Sequence, residues 1–250
     1  MKTILIILAL VAAATLHAQN PAQLFEQANR LYQEGKINEA REEYESILSN
    51  GYVSGELYYN LGNAYYKNAD FAHAILNYER ALRLMPNDDD LRHNLQLANL
   101  MITDKIEPTP RLFVWDYWDD VKNAFSLQSI TWTTYGAFLL VVVSLGMIVL
   151  ARTYSLRKVG VMSSAGTLLV FALLLVVFSA KISDAGKNDE AIVLAPITAI
   201  KNSPDPKSSD AFVLHAGVKV QINDRVNDWF KIRLADGKVG WMENGAAEVI

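Results

Sequence analysis

The 250-residue sequence contains no cysteine. This absence excludes disulfide bonds, thiolate metal sites, a cysteine nucleophile and oxidant sensing through the chain's own thiols. Histidine is also scarce: the four are His17, His73, His93 and His215. His17 falls in residues 1–18, which have the pattern of a secretory signal peptide, and no two of the others have the spacing of a metal site. The sequence therefore predicts no metal and no other cofactor.

Motifs that carry enzyme chemistry are missing as well. The sequence has no phosphate-binding glycine loop, no dinucleotide fingerprint and no Gly-x-Ser-x-Gly nucleophile motif. The acidic run at 87–90 lacks the glycine and the distal glutamate of a calcium loop, and it is typical of a helix cap. The formal net charge of -4 argues against a nucleic-acid partner. We therefore expect no catalytic residues and no enzyme activity.

Two long runs, 133–151 and 159–180, carry no charged residue. As helices rising 1.5 Å per residue they would each be about 27–33 Å long, close to the hydrocarbon thickness of a bilayer. They are predicted to be two transmembrane helices. Without an acidic, basic or histidine side chain, they offer no path for protons or ions.

The short segment 152–158 between these runs contains the cations Arg152, Arg157 and Lys158. Purely cationic short loops face the cytoplasm, so these residues predict the topology of a two-pass hairpin. Residues 1–18 have the cation, short apolar run and small terminal residue of a secretory signal peptide; an uncleaved anchor or a buried helix is the alternative. Both cues place residues 19–132 and 187–250 outside the cytoplasm.

Residues 55–88 form a unit that resembles the tetratricopeptide repeat. The signature positions hold Tyr58, Leu61, Gly62, Tyr65, Ala74, Tyr78, Ala81 and Pro86. Small residues where two antiparallel helices cross, and a proline where the second ends, explain this pattern. A weaker copy occupies 21–54, and 89–103 offers a closing helix. We expect an all-α repeat domain over 19–104.

The resemblance implies a groove, lined by the first helix of each repeat, that binds a partner's peptide. The groove residues would be Asn29, Tyr32, Tyr59, Asn60, Asn63 and Tyr66. Asparagine can hold an extended backbone and tyrosine gives flat contact area; the alternative is that these are solvated helix residues. The cations of the family's carboxylate clamp are replaced by Phe25, Asp90 and Asn94, so an acidic C-terminal tail is not the expected ligand.

A linker at 105–132 separates the repeats from the first apolar run. Pro108 and Pro110 interrupt helix, after which aromatic residues recur at near-helical spacing. Tryptophan and tyrosine favour the boundary between lipid and water, so we expect an interfacial helix on the outer face of the membrane. A segment packed beneath the repeats is the alternative.

Residues 187–250 are predicted to form a small all-β barrel. Short runs rich in valine and isoleucine alternate with turn residues, giving strands at 191–195, 198–201, 211–216, 218–222, 229–234 and 238–242. The stretches KNSP, LHAGVKVQI and DWFKIRLADGKVGWM resemble the bacterial SH3-like domain. That resemblance implies contact with cell-wall peptide or protein through a surface of Trp229 and Trp241, unless these rings belong to the core.

The order of these parts resembles the BatE-type aerotolerance proteins of Bacteroides-like bacteria. The expected fold is a multidomain membrane protein with an all-α tetratricopeptide-repeat domain, a two-helix transmembrane hairpin and a small all-β SH3-like barrel. The resemblance implies an inner-membrane location with both soluble domains periplasmic. It also implies von Willebrand A membrane proteins and a MoxR-type ATPase as partners, and a role in aerotolerance or oxidative and envelope stress.

Two functions of different classes follow. The first is a non-enzymatic scaffold in the bilayer that assembles an envelope complex. The second is attachment to peptidoglycan through the SH3-like domain. An envelope sensor is a third reading, but a seven-residue cytoplasmic loop leaves little to transmit a signal except through partner helices.

Overall fold

The computed structural model describes residues 20–110, 112–185 and 189–250, so the predicted signal peptide lies outside the described residues. The chain divides into two compact units. The repeat–sheet unit contains the described residues up to 84 together with 88–107 and 190–250, and the hairpin unit contains 85–87 and 108–189. The segments on either side of the two apolar runs therefore fold into one body.

Five helices form the tetratricopeptide-like part of the repeat–sheet unit. They are α1 (Pro21–Gln33), α2 (Ile37–Ser49), α3 (Gly55–Lys67), α4 (Phe71–Leu84) and α5 (Asp89–Met101). The side chains of Asn20, Ser54 and Asp88 accept hydrogen bonds from the first turns of α1, α3 and α5. These caps fix where the first helix of each pair and the closing helix begin.

The helix pairs cross closely because their contact positions carry small residues. Ala40 and Ala74 are fully buried. A Cβ at Gly62 would lie 2.6 Å from the ring of Tyr78, so only glycine fits there. Tyr44 and Tyr78 fill the space beside these crossings and are almost fully buried. The small-and-tyrosine pattern in the sequence thus sets the helix spacing in both repeats.

The C-terminal part of this unit is a seven-stranded antiparallel sheet. Its strands are β1 (Glu190–Val193), β2 (Ile197–Lys201), β3 (Asp210–His215), β4 (Lys219–Val226), β5 (Trp229–Arg233), β6 (Val239–Glu243) and β7 (Ala247–Val249). Their order is β3-β2-β6-β5-β4-β1-β7. One apolar cluster collects inward residues from six of the strands, including Val193, Ile200 and Ile232. The sequence did not predict β7, which follows a single 3₁₀ turn at Asn244–Ala246.

One end of the sheet packs against α4 with its outer surface. In β1, Ala191 and Val193 belong to the sheet core, and Ile192 points to the opposite side yet is fully buried. The linker contributes as well, because Ile106 packs against the sheet core. Two parts that the sequence presents as separate domains therefore share an interface.

The hairpin unit contains α6 (Phe113–Asn123), α7 (Leu127–Leu150) and α8 (Tyr154–Ala185). Segments of α7 and α8 are long and apolar enough to cross a membrane. Both helices exceed the predicted spans, and α7 begins at Leu127 because the Ser126 side chain caps its first turn. The antiparallel pair is joined through a hydrogen-bonded contact between Ser144 and Thr167, whose oxygens are 3.1 Å apart.

The connection between α7 and α8 is shorter than the predicted loop. Only residues 151–153 lie between the helices, so Arg157 and Lys158 belong to the first turns of α8 and Arg152 alone lies in the connection. All three side chains are exposed. The cationic character of this end of the hairpin is unchanged by the shift in boundary.

Candidate functional site

A groove runs along the side of the repeats that α1, α3 and α5 line. It holds a cavity of about 270 Å³. The cavity is lined by Tyr32, Asn63, Tyr66, Lys67, Tyr78, Asn94 and Leu97. Three of the predicted groove residues are in this set, and the other three, Asn29, Tyr59 and Asn60, are half-buried beside it. The structure thus brings all six predicted residues to one side of the repeats.

The asparagines on this side belong to two hydrogen-bonded clusters. In the first, Asn29 Oδ1 accepts a hydrogen bond from the hydroxyl of Tyr44 at 2.8 Å. The same oxygen accepts a second bond from Asn60 Nδ2 at 2.9 Å. Asn29 is thereby fixed by one residue of its own repeat and one of the next.

The second cluster repeats this geometry one repeat further along. Asn63 Oδ1 accepts from the hydroxyl of Tyr78 at 2.8 Å and from Asn94 Nδ2 at 3.0 Å. Asn94 also donates to the hydroxyl of Tyr59 at 2.9 Å. Asn94 is one of the predicted clamp positions without a cation and is not among the predicted groove residues. Its position, one 34-residue repeat after Asn60, is the signal that could have identified it.

Burial raises the pKa of the tyrosines in both clusters. It raises the pKa of Tyr44 to about 12, with a further contribution from the neighbouring Tyr32. Burial also raises the pKa of Tyr78 well above its ordinary value. Both hydroxyls donate to an asparagine oxygen, and these bonds hold each amide in one orientation.

The fixed amides leave hydrogen-bonding capacity on their outer side. Within the described part of the chain, no group bonds to Asn29 Nδ2, Asn63 Nδ2 or Asn60 Oδ1. Donors and acceptors of this kind match the C=O and N–H groups of an extended polypeptide. The side has little charge: among the described residues that line the cavity, Lys67 is the single cation.

None of the three clamp positions holds a cation: Asn94 belongs to the second cluster, and Phe25 and Asp90 lie outside the cavity lining. Phe25 packs against the core of the first repeat, with its ring centroid 6.0 Å from that of Tyr44. Asp90 is exposed in the first turn of α5. Neither residue supplies a cation for a carboxylate ligand, and the exclusion of an acidic tail stays a prediction.

The other side of α4 is covered by the sheet. Arg80 donates to Glu248 Oε1 at 2.8 Å and to the main-chain oxygen of Val249 at 2.7 Å. Arg83 donates to the main-chain oxygen of Ile250 at 2.6 Å. Arg80 thus holds β7, the strand that the sequence did not predict, and Arg83 holds the residue that follows it. We call the residues on α4 and after α5 that contact the sheet the covered face. They are Glu79, Arg80, Arg83, Ile102, Asp104 and Ile106.

A half-buried lysine extends this network from the sheet. Lys219 Nζ lies 2.9 Å from Glu79 and 3.2 Å from Glu190. Although burial lowers the pKa of Lys219, the two carboxylates outweigh it and raise the pKa above its usual value. The lysine therefore stays charged and bridges α4 to β1.

The residues after α5 complete the covered face. Asp104 accepts from the backbone N–H of His215 at 2.7 Å and contacts its ring Nδ1 at 3.0 Å. Gly217 has φ +97°, and a Cβ there would overlap Ile102 Cγ2. The chain can pass this close to Ile102 only because position 217 is glycine.

A larger cavity of about 520 Å³ lies between residues 103–107 and the sheet. Its lining includes Phe212, Leu234 and several charged residues that already have partners. Asp104 contacts His215, and Asp236 forms an ion pair of 3.0 Å with Lys238. The charges at this cavity stabilise the covered face and the β5–β6 turn, and they do not point to a ligand class.

The predicted aromatic surface of the sheet is only partly present. Trp229 is 8% exposed, so the expectation that it forms a contact surface is not supported: its ring is enclosed at the β5–β6 pairing opposite Glu243. Trp241 is half-buried on the outer side of β6. Lys231 Nζ lies 5.7 Å from the centre of its ring, a cation–π contact.

Two family models match parts of this architecture. The model described as "Tetratricopeptide repeat" matches residues 55–88, and the one described as "Bacterial SH3 domain" matches residues 198–247. The chain contains a tetratricopeptide repeat and a bacterial SH3 domain. The first match covers α3 and α4, and the second covers β2 to β6. No curated protein matches the chain.

Solved structures also match, among them one described as "Crystal structure of MamA". It is 18% identical over 63% of this chain and 81% of that chain, with a TM-score of 0.32. A score this low assigns neither a fold nor a partner. The groove, the covered face and the two matched domains carry the functional conclusion.

Proposed function

We propose that the protein is a non-enzymatic membrane adaptor whose repeat groove binds an extended segment of a partner protein. The observation that supports this proposal is the pair of matching asparagine–tyrosine clusters. In each cluster, hydrogen bonds from a tyrosine and a second asparagine fix an amide whose remaining hydrogen-bonding groups face the groove. The two matched domains are of kinds that bind proteins or cell wall. Fixed neutral amides are suited to binding and supply neither a nucleophile nor a general base at neutral pH.

The groove favours a segment with little charge and with flat or apolar side chains. Two amide clusters spaced one repeat apart can hold a backbone at two points along its length. Tyr32, Tyr66 and Leu97 offer aromatic and apolar surface between them. Since Lys67 is the single described cation of the cavity, a strongly acidic ligand would gain little there.

The proposed location is a bacterial inner membrane, with the repeat–sheet unit in the periplasm. The supporting features are two helices of spanning length, exposed cations at their connection and the predicted leader. The fold of the repeat–sheet unit adds support, because its two chain segments flank the hairpin and contact each other. Segments in contact must lie on one side of any membrane that the hairpin crosses.

The physiological role that we propose is assembly of an envelope complex linked to aerotolerance or to oxidative and envelope stress. The proposed partners are membrane proteins with von Willebrand A domains and a MoxR-type ATPase. This part rests on the order of domains along the chain and on its resemblance to BatE-type proteins. Its direct test is identification of the proteins that copurify with the chain from native membranes.

Photo-crosslinking in native membranes tests the groove. A photoreactive phenylalanine analogue at Tyr66, inside the groove, should capture a partner; at Tyr52, which is 47% exposed in the loop before α3, it should not. Adding Asn60→Ala and Asn94→Ala should remove the Tyr66 product. The control Glu56→Ala changes an exposed residue of α3 and should leave it intact. Equal capture at both positions, or a product insensitive to the alanines, would rule the groove out.

Peptidoglycan attachment is the second candidate, and the observation that favours it is the bacterial SH3 match together with the outer surface at Trp241 and Lys231. Because the sheet is held by α4, the full chain in detergent is the right material for co-sedimentation with purified cell wall. Retention that Trp241→Ala abolishes would support this function. A wild-type chain that stays in the supernatant would exclude it.

A further inference from the structure

We propose that α6 lies in the boundary between lipid headgroups and acyl chains, as a membrane contact additional to α7 and α8. The inference rests on the membrane location proposed above. The helix α6 would lie on the membrane surface without crossing it, and the proposed binding partner of α6 is the bilayer. The observations that carry it all lie within the hairpin unit.

The first observation is a dense exposed apolar patch at the start of α6. Phe113 is 80% exposed, Tyr117 71%, Leu112 70% and Trp115 58%. Val114 is exposed as well. Five large apolar side chains within six residues form a patch that a chain in water rarely leaves open. Some apolar or interfacial surface must cover it.

The second observation fixes the depth of the other end of this helix. Lys181 Nζ donates to the main-chain oxygen of Lys122 at 2.8 Å. Lys181 is the first charged residue after the uncharged run 159–180, which is about one hydrocarbon thickness long at 1.5 Å per residue. The C-terminal turn of α6 therefore lies at the level where α8 leaves the hydrocarbon.

The third observation is that α7 places aromatic residues at the same level. Phe138 lies against Phe171, and Ser144 against Thr167, so the antiparallel register brings the start of α7 beside the end of α8. Trp132 is 67% exposed at this start. Tryptophan and tyrosine collect at membrane boundaries, so α6 continues an aromatic belt around this end of the hairpin.

The charges on α6 identify which lipid surface suits it. Helices that bind through anionic headgroups carry many cations, whereas α6 carries Asp116, Asp119 and Asp120 and the cation Lys122. Lys122 lies 3.0 Å from Asp119, so its charge is already offset. We infer that α6 is held by apolar and aromatic insertion and does not need anionic lipid.

The absence of cysteine makes a label-based depth measurement direct, because one introduced cysteine is unique. The full chain is reconstituted in phosphatidylcholine vesicles with a nitroxide label at Phe113→Cys or Tyr117→Cys. Leu140→Cys, an exposed position within α7, gives the deep reference, and Lys207→Cys, an exposed position in the β2–β3 loop, gives the aqueous one. Collisions with oxygen and with a water-soluble nickel chelate report the depth.

Both α6 labels should collide with the nickel chelate at least about threefold less than the label at position 207, and more than the label at 140. Adding phosphatidylglycerol should not increase their depth. Aqueous behaviour of both α6 labels beside a deep label at 140 would overturn the inference and leave the membrane location intact. An aqueous label at 140 would overturn both. Low collision rates with both reagents would indicate protein contact at α6 and would also overturn the inference.

Discussion

The two sides of the tetratricopeptide part share the helix α4 but carry different chemistry. The groove has amides and tyrosines, held by neutral hydrogen bonds, with one described cation in its cavity. The covered face has arginine and glutamate side chains that form ion pairs and main-chain hydrogen bonds with the sheet, where Lys219 is the partner of Glu79. Tyr78 and Arg80 show the contrast within one turn of α4: the first reaches Asn63 and the second reaches β7.

This difference indicates how a short repeat array is stabilised. Two repeats and a closing helix are close to the minimum for a stable stack. The sheet adds buried contacts on one side of the repeats, at Ile192 and beside Ile102. The repeats can therefore be stable while the groove on the other side stays open for a ligand. A groove whose amides are fixed from behind is organised before a ligand arrives, which reduces the entropy lost on binding.

The largest effect is expected where the covered face is closest, at Gly217. Gly217→Val should lower the free energy of unfolding by about 3 kcal/mol or more, because valine at positive φ is strained and its side chain would overlap Ile102. Thermal unfolding of the full chain in detergent measures the loss. Proteolysis after Lys105 should accelerate as the sheet separates.

Gly237→Val is the matched control for this change. Gly237 also has positive φ, +90°, but nothing lies within 4 Å of its Cβ position. Backbone strain alone should cost about 1–3 kcal/mol there, and residues 103–107 should stay protected from protease. Equal losses from both substitutions would mean that the contact with Ile102 does not hold the sheet on the covered face.

A smaller loss is expected from the ion pairs of the same face. Arg80→Met keeps the apolar stem and removes donors to Glu248 and to the main-chain oxygen of Val249. Hydrogen bonds from a charged donor contribute about 1.5–3 kcal/mol, so we expect a loss of about 2 kcal/mol. Lys36→Met removes a cation from an exposed pair with Glu34 and should leave the unfolding temperature unchanged. An Arg80→Met variant with an unchanged unfolding temperature would contradict the role of α4 in holding β7.

The repeat helices and the groove could be predicted from the sequence, and the covered face could not. The tetratricopeptide pattern is local: glycine, alanine and tyrosine recur at fixed spacing within 34 residues, so it predicts which side Asn60 and Asn63 face. The partners of Arg80 lie 168 and 169 residues away. In sequence, Arg80 and Arg83 are ordinary solvated cations near a helix end, and β7 is too short to show an alternating pattern.

The groove offers the next prediction, in which two asparagines of similar exposure differ in effect. Asn63→Ala leaves the hydroxyl of Tyr78, 1% exposed, without its acceptor. Asn60→Ala removes one donor to Asn29, whose oxygen still accepts from Tyr44. An unpaired buried hydroxyl costs about 1–3 kcal/mol, so Asn63→Ala should be the more destabilising by about 1 kcal/mol. Thermal unfolding of the two variants side by side decides this, and equal losses would contradict the assigned hydrogen bonds.

The smallest expected effect is a pH dependence where the two sides meet, at the start of α4. His73 Nδ1 lies 2.8 Å from Asp70, and this hydrogen bond raises the pKa of His73 despite partial burial, with help from Glu248 of the sheet. Burial alone would raise the pKa of Asp70, but the hydrogen bonds from His73 lower it below its usual value. The imidazolium–carboxylate pair therefore stabilises the fold between the two pKa values.

The sign of the effect follows from these directions. A raised histidine pKa gives stability that is complete below the unfolded value of about 6.5 and is lost as the pH rises through the folded value. A lowered aspartate pKa gives stability above about 3.9 that is lost on further acidification. His73→Gln should therefore lower the unfolding temperature more at pH 5.5 than at pH 9. Because both groups are more than a third exposed, solvent screening keeps the difference below about 1 kcal/mol.

Two control variants test this pH dependence. His93→Gln, at an exposed position of α5, should lower the unfolding temperature equally at the two pH values. In a Glu248→Gln background, the effect of His73→Gln should differ less between pH 5.5 and pH 9, because the Glu248 carboxylate acts on His73 across the covered face. An effect of His73→Gln that does not depend on Glu248 would mean that the sheet does not reach this end of α4.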